Sequence, residues 1–181
     1  MKATGIVRRI DDLGRVVIPK EIRRTMRIRE GAPLEIFTDR AGEVIFKKYS
    51  PIGELTAFAA QYAETLHKTC ELSVVICDKD SVVASAGVSK KEYNDKRLSD
   101  AFERIMEKRT MYLHKQGETK TEVIADAGSY YVHCAMPIVS EGDIIGCVAS
   151  LQPIESDTVP ESIEMKLIQT AASFLGKQLE N

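Results

Sequence analysis

The chain has 181 residues, 44% apolar and 29% charged, which suits one or two ordinary globular domains and argues against disorder. No run approaches the roughly 18 apolar residues of a membrane span, and charges near the N-terminus predict that no secretory signal is present. The net charge of -2 divides unevenly. Residues 1–50 carry twelve Lys/Arg against seven Asp/Glu, a net of +5, and the remainder carries a net of -7. We therefore expect a cytoplasmic protein whose basic, polyanion-binding head (residues 1–50) precedes an acidic body (residues 51–181).

The head is predicted to be mostly β. Thr4–Ile10 and Arg15–Ile18 are β-branched runs, and Asp11–Gly14 between them is typical of a hairpin turn. Pro19 suits the first turn of a helix, which we predict over Lys20–Ile28.

A second hairpin, Leu34–Thr38 with Glu43–Lys47, completes the predicted head. Two hairpins and one short helix in about fifty residues bury too little surface to be secure alone. Two interpretations follow. The head dimerises through its hairpins, or it packs on the rest of its own chain, and composition does not choose between them.

The body begins at Ser50–Pro51 and is predicted to be an α+β domain with helices flanking a mixed sheet. Apolar residues at helical, heptad-like spacing predict a first helix from Leu55 to Leu66 that packs on a partner. The last helix is predicted to open with a capping box at Thr158–Glu161 and to run toward Leu179. Its predicted apolar side is Ile163, Leu167, Ala171, Phe174 and Leu175. The other predicted elements are strands Leu72–Cys77 and Ser81–Ala86, a helix Leu98–Arg109, one or two short strands within Thr110–Ala127, and strands Tyr130–Val139 and Ile144–Leu151.

Arginines cluster around the first predicted hairpin and helix. Arg23 and Arg27 form an i, i+4 pair of like charge, and each such pair costs about 0.2–0.5 kcal/mol on a free helix. A helix face with such like charges, close in sequence to Arg8, Arg9 and Arg15, is typical of a surface that binds an anion. Duplex DNA, with its dense phosphates, matches a surface this broad. The alternative is a solvated basic face with no partner.

The head resembles the AbrB-type bacterial transition-state regulators, and the run LGRVVIP followed by EIRR is the specific part of the match. The resemblance implies that two chains exchange hairpins into one swapped-hairpin dimer that binds double-stranded DNA. It also implies that the DNA-contacting residues are Arg8, Arg15, Arg23 and Arg24. Strand alternation does not decide between Arg8 and Arg9; the resemblance selects Arg8. The matching residues are Lys2, Thr4–Arg8, Asp11–Pro19, Glu21–Arg24, Leu34–Ile36 and Lys47–Tyr49.

Residues 51–181 resemble a GAF-type sensory domain, through the hairpin from Ala135–Val139 to Ile144–Val148 between flanking helices. This resemblance implies that the body joins head dimers into a homotetramer, a dimer of dimers, and that it takes an unidentified small molecule rather than a known cofactor. Head and body together resemble regulators that activate or repress genes in developing spores of endospore-forming bacteria, which implies a location at the nucleoid.

No catalytic or metal site is predicted. Cys77, Cys134 and Cys147 lie in strand runs where a small buried hydrophobe is expected, and the four cysteines include no CxxC pair. His133 and Cys134 are neighbours in a strand and are predicted to face opposite sides, which argues against a zinc site. Two other classes of function stay open: an antitoxin-like protein-interaction module with the same head fold, and a GAF-type reductase that uses cysteines.

Overall fold

A computed structural model describes residues 5–125 and 129–180 and divides the chain into two compact units, with the boundary between Tyr49 and Ser50. Lys2, Thr4 and Ala127, which enter the sequence predictions above, lie outside the described residues. Across the described ranges, no helix has both the length and the apolar character needed to cross a membrane.

The second hairpin of the head is confirmed. Strands β1 (Leu34–Thr38) and β2 (Val44–Lys48) pair antiparallel, with Ile36 opposite Phe46. The turn between them is closed by Asp39. Alternating apolar residues with an Asp and a Gly between them therefore specify this hairpin locally.

The head helix is shorter than predicted. Helix α1 spans Lys20–Thr25, following Pro19, and stops because Arg27 adopts a left-handed φ of 49°. The backbone N–H of Ile28 then donates to the carbonyl of Arg23 at 2.8 Å, a bond that closes helix C-termini.

The first predicted hairpin forms its turn but not its strands. The N–H of Asp11 donates to the carbonyl of Arg15 at 3.1 Å, and the N–H of Gly14, at φ 74°, donates to the carbonyl of Asp11 at 3.0 Å. The predicted strands Thr4–Ile10 and Arg15–Ile18 are wrong for this single chain, because residues 5–10 and 15–18 are irregular. A strand exists through hydrogen bonds to a neighbouring strand. Within residues 5–49, no neighbouring strand pairs with these residues.

Residues 5–49 of the head form no hydrophobic core. Among residues 5–49, Pro19 alone is buried, whereas Val7 is 85% exposed and Ile10 is 70% exposed. So much apolar surface in water is unfavourable, and large exposed apolar patches are typical of protein contacts.

The body is confirmed as α+β, although its sheet is antiparallel throughout rather than mixed. The sheet has the order β4-β3-β7-β6-β5 and is built from two hairpins, β3 with β4 and β6 with β7. The helices and strands of the body are α2 (Pro51–Glu54), α3 (Thr56–Cys70), β3 (Ser73–Cys77), β4 (Val82–Ala86), α4 (Lys90–Tyr93), α5 (Asp100–Glu107), β5 (Tyr112–Leu113), β6 (Tyr130–Ser140), β7 (Asp143–Pro153) and α6 (Ser162–Gln178).

Apolar side chains fill both faces of this sheet. On one face, residues of β6 and β7 pack with α3 and α6 around Ala63, Val148 and Ile168, all fully buried. On the other face, α5 packs its Phe102 against Val75 and neighbouring strand residues. Helices on both faces therefore give the body a core on each side of its sheet.

Helix α6 begins later than predicted, and it buries Ala171 and Leu175 of the predicted apolar side but not Ile163 or Phe174. It starts at Ser162 without a side-chain cap, and the Thr158 hydroxyl of the expected capping box lies 3.2 Å from the His133 ring instead. The helix buries Ile168, Ala171, Ala172 and Leu175. Ile163 and Phe174, predicted on the apolar side, are 68% and 40% exposed.

Candidate nucleic-acid interface

All four predicted DNA-contacting arginines are exposed and belong to the head. Arg8 lies in the irregular segment before the first turn, and Arg15 follows that turn directly. Arg23 and Arg24 occupy the last turn of α1. The C-terminal end of a helix favours cations, so these two residues are placed where their charge is tolerated. Arg9 is as exposed as Arg8, so exposure does not distinguish the two.

Arg15 is held by Asp11. Its Nε lies 2.8 Å from Oδ2 of Asp11, and the two side chains are 68% and 35% exposed. Oδ1 of the same carboxylate accepts the backbone N–H groups of Leu13 at 3.0 Å and Arg15 at 2.8 Å. The bond from the Arg15 backbone, followed by that from its guanidinium, lowers the pKa of Asp11, which keeps the carboxylate charged. The sequence analysis treated Asp11 only as a turn residue and missed this contact.

The other three arginines differ from Arg15. Within the part of the chain that the structure describes, Arg8, Arg23 and Arg24 form no ion pair. These three exposed guanidinium groups are therefore accessible to an external anion. All four arginines of the predicted site are exposed.

A buried polar network lies in the body. Nδ1 of His133 is 2.8 Å from Oε1 of Glu164, and the Ser150 hydroxyl donates to the same oxygen at 2.5 Å. Burial raises the pKa of Glu164, but the bonds from His133 and Ser150 outweigh it and leave the pKa below its ordinary 4.5. The network fastens the first turn of α6 to the centre of the sheet.

The prediction that His133 and Cys134 face opposite sides is wrong. A bulge between Val132 and Cys134 interrupts the alternation of β6. His133 reaches Glu164 on α6, and Cys134 packs in the cluster that contains the buried residues of α6. Even so, the described residues include no group of three His, Cys, Asp or Glu side chains able to hold a metal ion.

The predicted burial of the strand cysteines is confirmed. Cys77, Cys134 and Cys147 are fully buried thiols, and Cys77 lies opposite Cys147 in the β3–β7 ladder. Burial raises the pKa of Cys134 to about 12 and that of Cys77 well above its ordinary value. Thiols in this state are poor nucleophiles, since reactivity belongs to the thiolate.

Three buried polar atoms of the body have no hydrogen-bond partner among the described residues: the hydroxyls of Tyr93 and Tyr131, and Nδ1 of His114. Buried polar groups are normally paired, so each of these atoms is available to a water or to a polar group of a small molecule. His114 is otherwise held through Nε2, which is 3.1 Å from Asp157.

The amino-acid sequence matches known families over both units. Residues 54–180 match the family described as stage V sporulation protein T C-terminal, transcription factor, and residues 7–53 match the family of the bacterial antitoxin MazE, described as antidote-toxin recognition. Stage V sporulation protein T of Bacillus subtilis is 52% identical over 183 residues, covering 99% of each chain.

Two further likenesses concern the separate units. The transition state regulatory protein AbrB of Bacillus subtilis is 59% identical over 51 residues, which are 28% of this chain and 52% of AbrB. The GAF domain of a phosphoenolpyruvate-protein phosphotransferase from Coxiella burnetii superposes with a TM-score of 0.52 at 17% identity, covering 69% of this chain and 82% of that domain. The body thus has a GAF-like fold, and with its matched head the chain belongs to the stage V sporulation protein T family.

Proposed function

We propose that this transcription regulator of sporulation binds double-stranded DNA through Arg8, Arg15, Arg23 and Arg24. The observation that carries the proposal is the exposure of all four arginines of the head, three of which form no ion pair among the described residues. Each such cation that meets a phosphate releases counterions, which gives affinity without regard to sequence. The family description as a transcription factor agrees with this role.

The head acts as a dimer in this proposal. Its apolar residues are exposed in one chain, and a second head offers the partner strands that residues 5–10 and 15–18 lack. Doubling the +5 of the head gives a basic surface of about +10. The alternative is that the head packs on the rest of its own chain.

The body joins two head dimers into a tetramer in this proposal. Phe58 and Tyr62 of α3 stack with Phe174 of α6, with ring centroids 5.8 Å and 5.7 Å apart. Phe174 is 40% exposed and Ile163, on the same helix, is 68% exposed. An aromatic surface of this kind is typical of the centre of a protein contact.

We also propose that the body takes a small molecule, by analogy with its fold. The unpaired buried atoms of Tyr93, Tyr131 and His114 support this proposal, since they are polar groups that a ligand would satisfy. Mass spectrometry of the native protein as purified tests it. A bound mass lost on denaturation is expected, and its absence after purification from sporulating cells contradicts the proposal.

The two alternative functions have weaker support. An antitoxin uses a chain segment that wraps its toxin, whereas residues 50–180 here build a folded unit with a core on both faces of a sheet. A cysteine-dependent reductase needs an accessible thiolate, and Cys77, Cys134 and Cys147 are buried. We therefore propose a regulator without catalytic activity, acting at the nucleoid of the developing spore.

DNA binding is tested with the full-length protein. Arg15→Ala combined with Arg23→Ala removes two positive charges from the head, and Lys68→Ala with Lys166→Ala removes two exposed positive charges from the body. In a mobility-shift assay the first variant is expected to lose most of its affinity, about 100-fold, because four phosphate contacts vanish per head dimer. The second is expected to bind like the wild type. Equal affinity of both variants contradicts the proposal.

A further inference from the structure

The two turns of the head share one geometry. In each turn an aspartate, Asp11 or Asp39, accepts two backbone N–H groups on Oδ1, from the residues two and four positions later, at 2.8–3.0 Å. In each turn the aspartate N–H also donates to the carbonyl four residues on, and a glycine with positive φ stands three residues on. The turn itself therefore needs only Oδ1 of the aspartate.

The turns differ in the residue four positions after the aspartate. That residue is Arg15 in the first turn and Glu43 in the second. Only the first turn therefore places a cation beside the second carboxylate oxygen, and Oδ2 of Asp11 contacts Nε of Arg15 at 2.8 Å. An ion pair as exposed as this one adds little to stability, so its main consequence is the orientation of the Arg15 side chain.

We infer that Asp11 is a positioning residue that raises the sequence discrimination of DNA binding by Arg15, an inference that rests on the proposed function. With Nε held by Asp11, the Nη1 and Nη2 groups of Arg15 are the donors left for DNA. A guanidinium fixed at one edge presents the other edge in a constant direction, which suits a bidentate contact with a base or a phosphate.

The negative charge of Asp11 also raises the sequence discrimination of DNA binding. A carboxylate next to the DNA surface repels phosphates, which weakens complexes on any sequence. On the specific sequence the Arg15 contact is formed and offsets this repulsion. On other sequences that contact is not formed, and the repulsion lowers the affinity. Discrimination is the difference between the two affinities, so a repulsive group can increase it.

The experiment uses Asp11→Asn and its matched control Asp39→Asn in the full-length protein. Both substitutions keep an Oδ1 acceptor for the turn, but only Asp11→Asn removes a contact to an arginine. The probes are a duplex selected by the wild-type protein from a random pool and a scrambled duplex of equal length and composition. For Asp11→Asn we expect several-fold tighter binding to the scrambled duplex and a selectivity ratio reduced roughly tenfold. We expect Asp39→Asn to keep the wild-type ratio.

Other outcomes are equally informative. If both variants keep the wild-type ratio, or both lose it equally, Asp11 is only a turn residue and the inference is overturned. Arg15→Ala separates this failure from that of the proposed function, because unchanged binding by Arg15→Ala would show that Arg15 is not part of the DNA interface.

Adding Asp11→Asn to Arg15→Ala is expected to leave the selectivity ratio of Arg15→Ala unchanged. A further loss of selectivity would mean that Asp11 acts independently of Arg15 and would overturn the inference. The NMR resonance of Arg15 Nε–H reports the contact without DNA and should move in Asp11→Asn alone.

Discussion

Replacing Glu164 by Gln tests the buried network that fastens α6 to the sheet. The Glu164 side chain is 9% exposed and its partner His133 is 3% exposed, so the pair is shielded from water. A buried hydrogen bond to a charged group contributes about 1.5–3 kcal/mol. Glutamine keeps one acceptor for the Ser150 hydroxyl, and we therefore expect a loss of about 2 kcal/mol.

The assay is urea unfolding of the full-length protein followed by circular dichroism, with Glu161→Gln as the control. Glu161 is exposed, lies three residues earlier and makes no side-chain cap, so its substitution should change the free energy of unfolding by less than about 0.5 kcal/mol. Equal effects of the two substitutions would refute the structural role of the network.

The pH dependence gives a second readout of the same substitution. Because the folded-state pKa of Glu164 lies below the ordinary 4.5, its ionised form stabilises the fold above that value. This contribution is lost as pH falls through the lowered folded-state pKa. The stability difference between the wild type and Glu164→Gln should accordingly shrink below about pH 4.5. A difference that grows on acidification would contradict the sign of this reasoning.

Three further predictions concern the body. Gly176→Ala should cost about 1–3 kcal/mol in urea unfolding, because a Cβ there would lie 2.3 Å from the carbonyl oxygen of Val139; wild-type stability would refute this close approach. A thiol reagent should modify half-buried Cys70 first and the three buried cysteines only after denaturation, and rapid reaction of all four thiols in the native protein would show that the strand cysteines are accessible. Phe174→Ser with Ile163→Ser should convert a tetramer to dimers in multi-angle light scattering without loss of the circular dichroism spectrum, and an unchanged mass would place the tetramer contact elsewhere.

Local chemistry made much of the body and the second head hairpin predictable. The turn Asp39–Gly42 is determined by residues within it, since the aspartate caps the backbone and the glycine takes positive φ. Burial of the strand cysteines was predictable from their neighbours in the sequence, because small thiols in β-branched runs are typical of cores.

The errors arise where partners distant in sequence decide the structure. Thr158 does not cap α6, because its hydroxyl and carbonyl lie beside His133 of β6. A bulge placed Cys134 on the same side as its neighbour His133, and period-two alternation carries no sign of such an inserted residue. Residues 5–10 and 15–18 have β-branched sequences but are irregular, because a strand depends on a partner strand as well as on its own residues.

The candidate site was predictable in composition but not in its internal contacts. Arginine clustering and the family resemblance singled out Arg8, Arg15, Arg23 and Arg24, and the structure places all four on the exposed surface of the head. The contact between Asp11 and Arg15 was missed, although an aspartate four residues before an arginine across a turn was visible in the sequence. The same turn recurs at Asp39, where the residue four positions later is Glu43 and no such contact is possible, so the turn alone does not indicate the contact.

The central claim is that these four arginines neutralise DNA phosphates, and the salt dependence of binding tests it most directly. Eight arginines per head dimer predict a slope of about -7 in a plot of log affinity against log salt concentration. Arg15→Ala with Arg23→Ala removes four of them, and the slope should fall to about half that magnitude. Lys68→Ala with Lys166→Ala should keep the wild-type slope. A wild-type slope near zero, or the same slope in both variants, would contradict the claim.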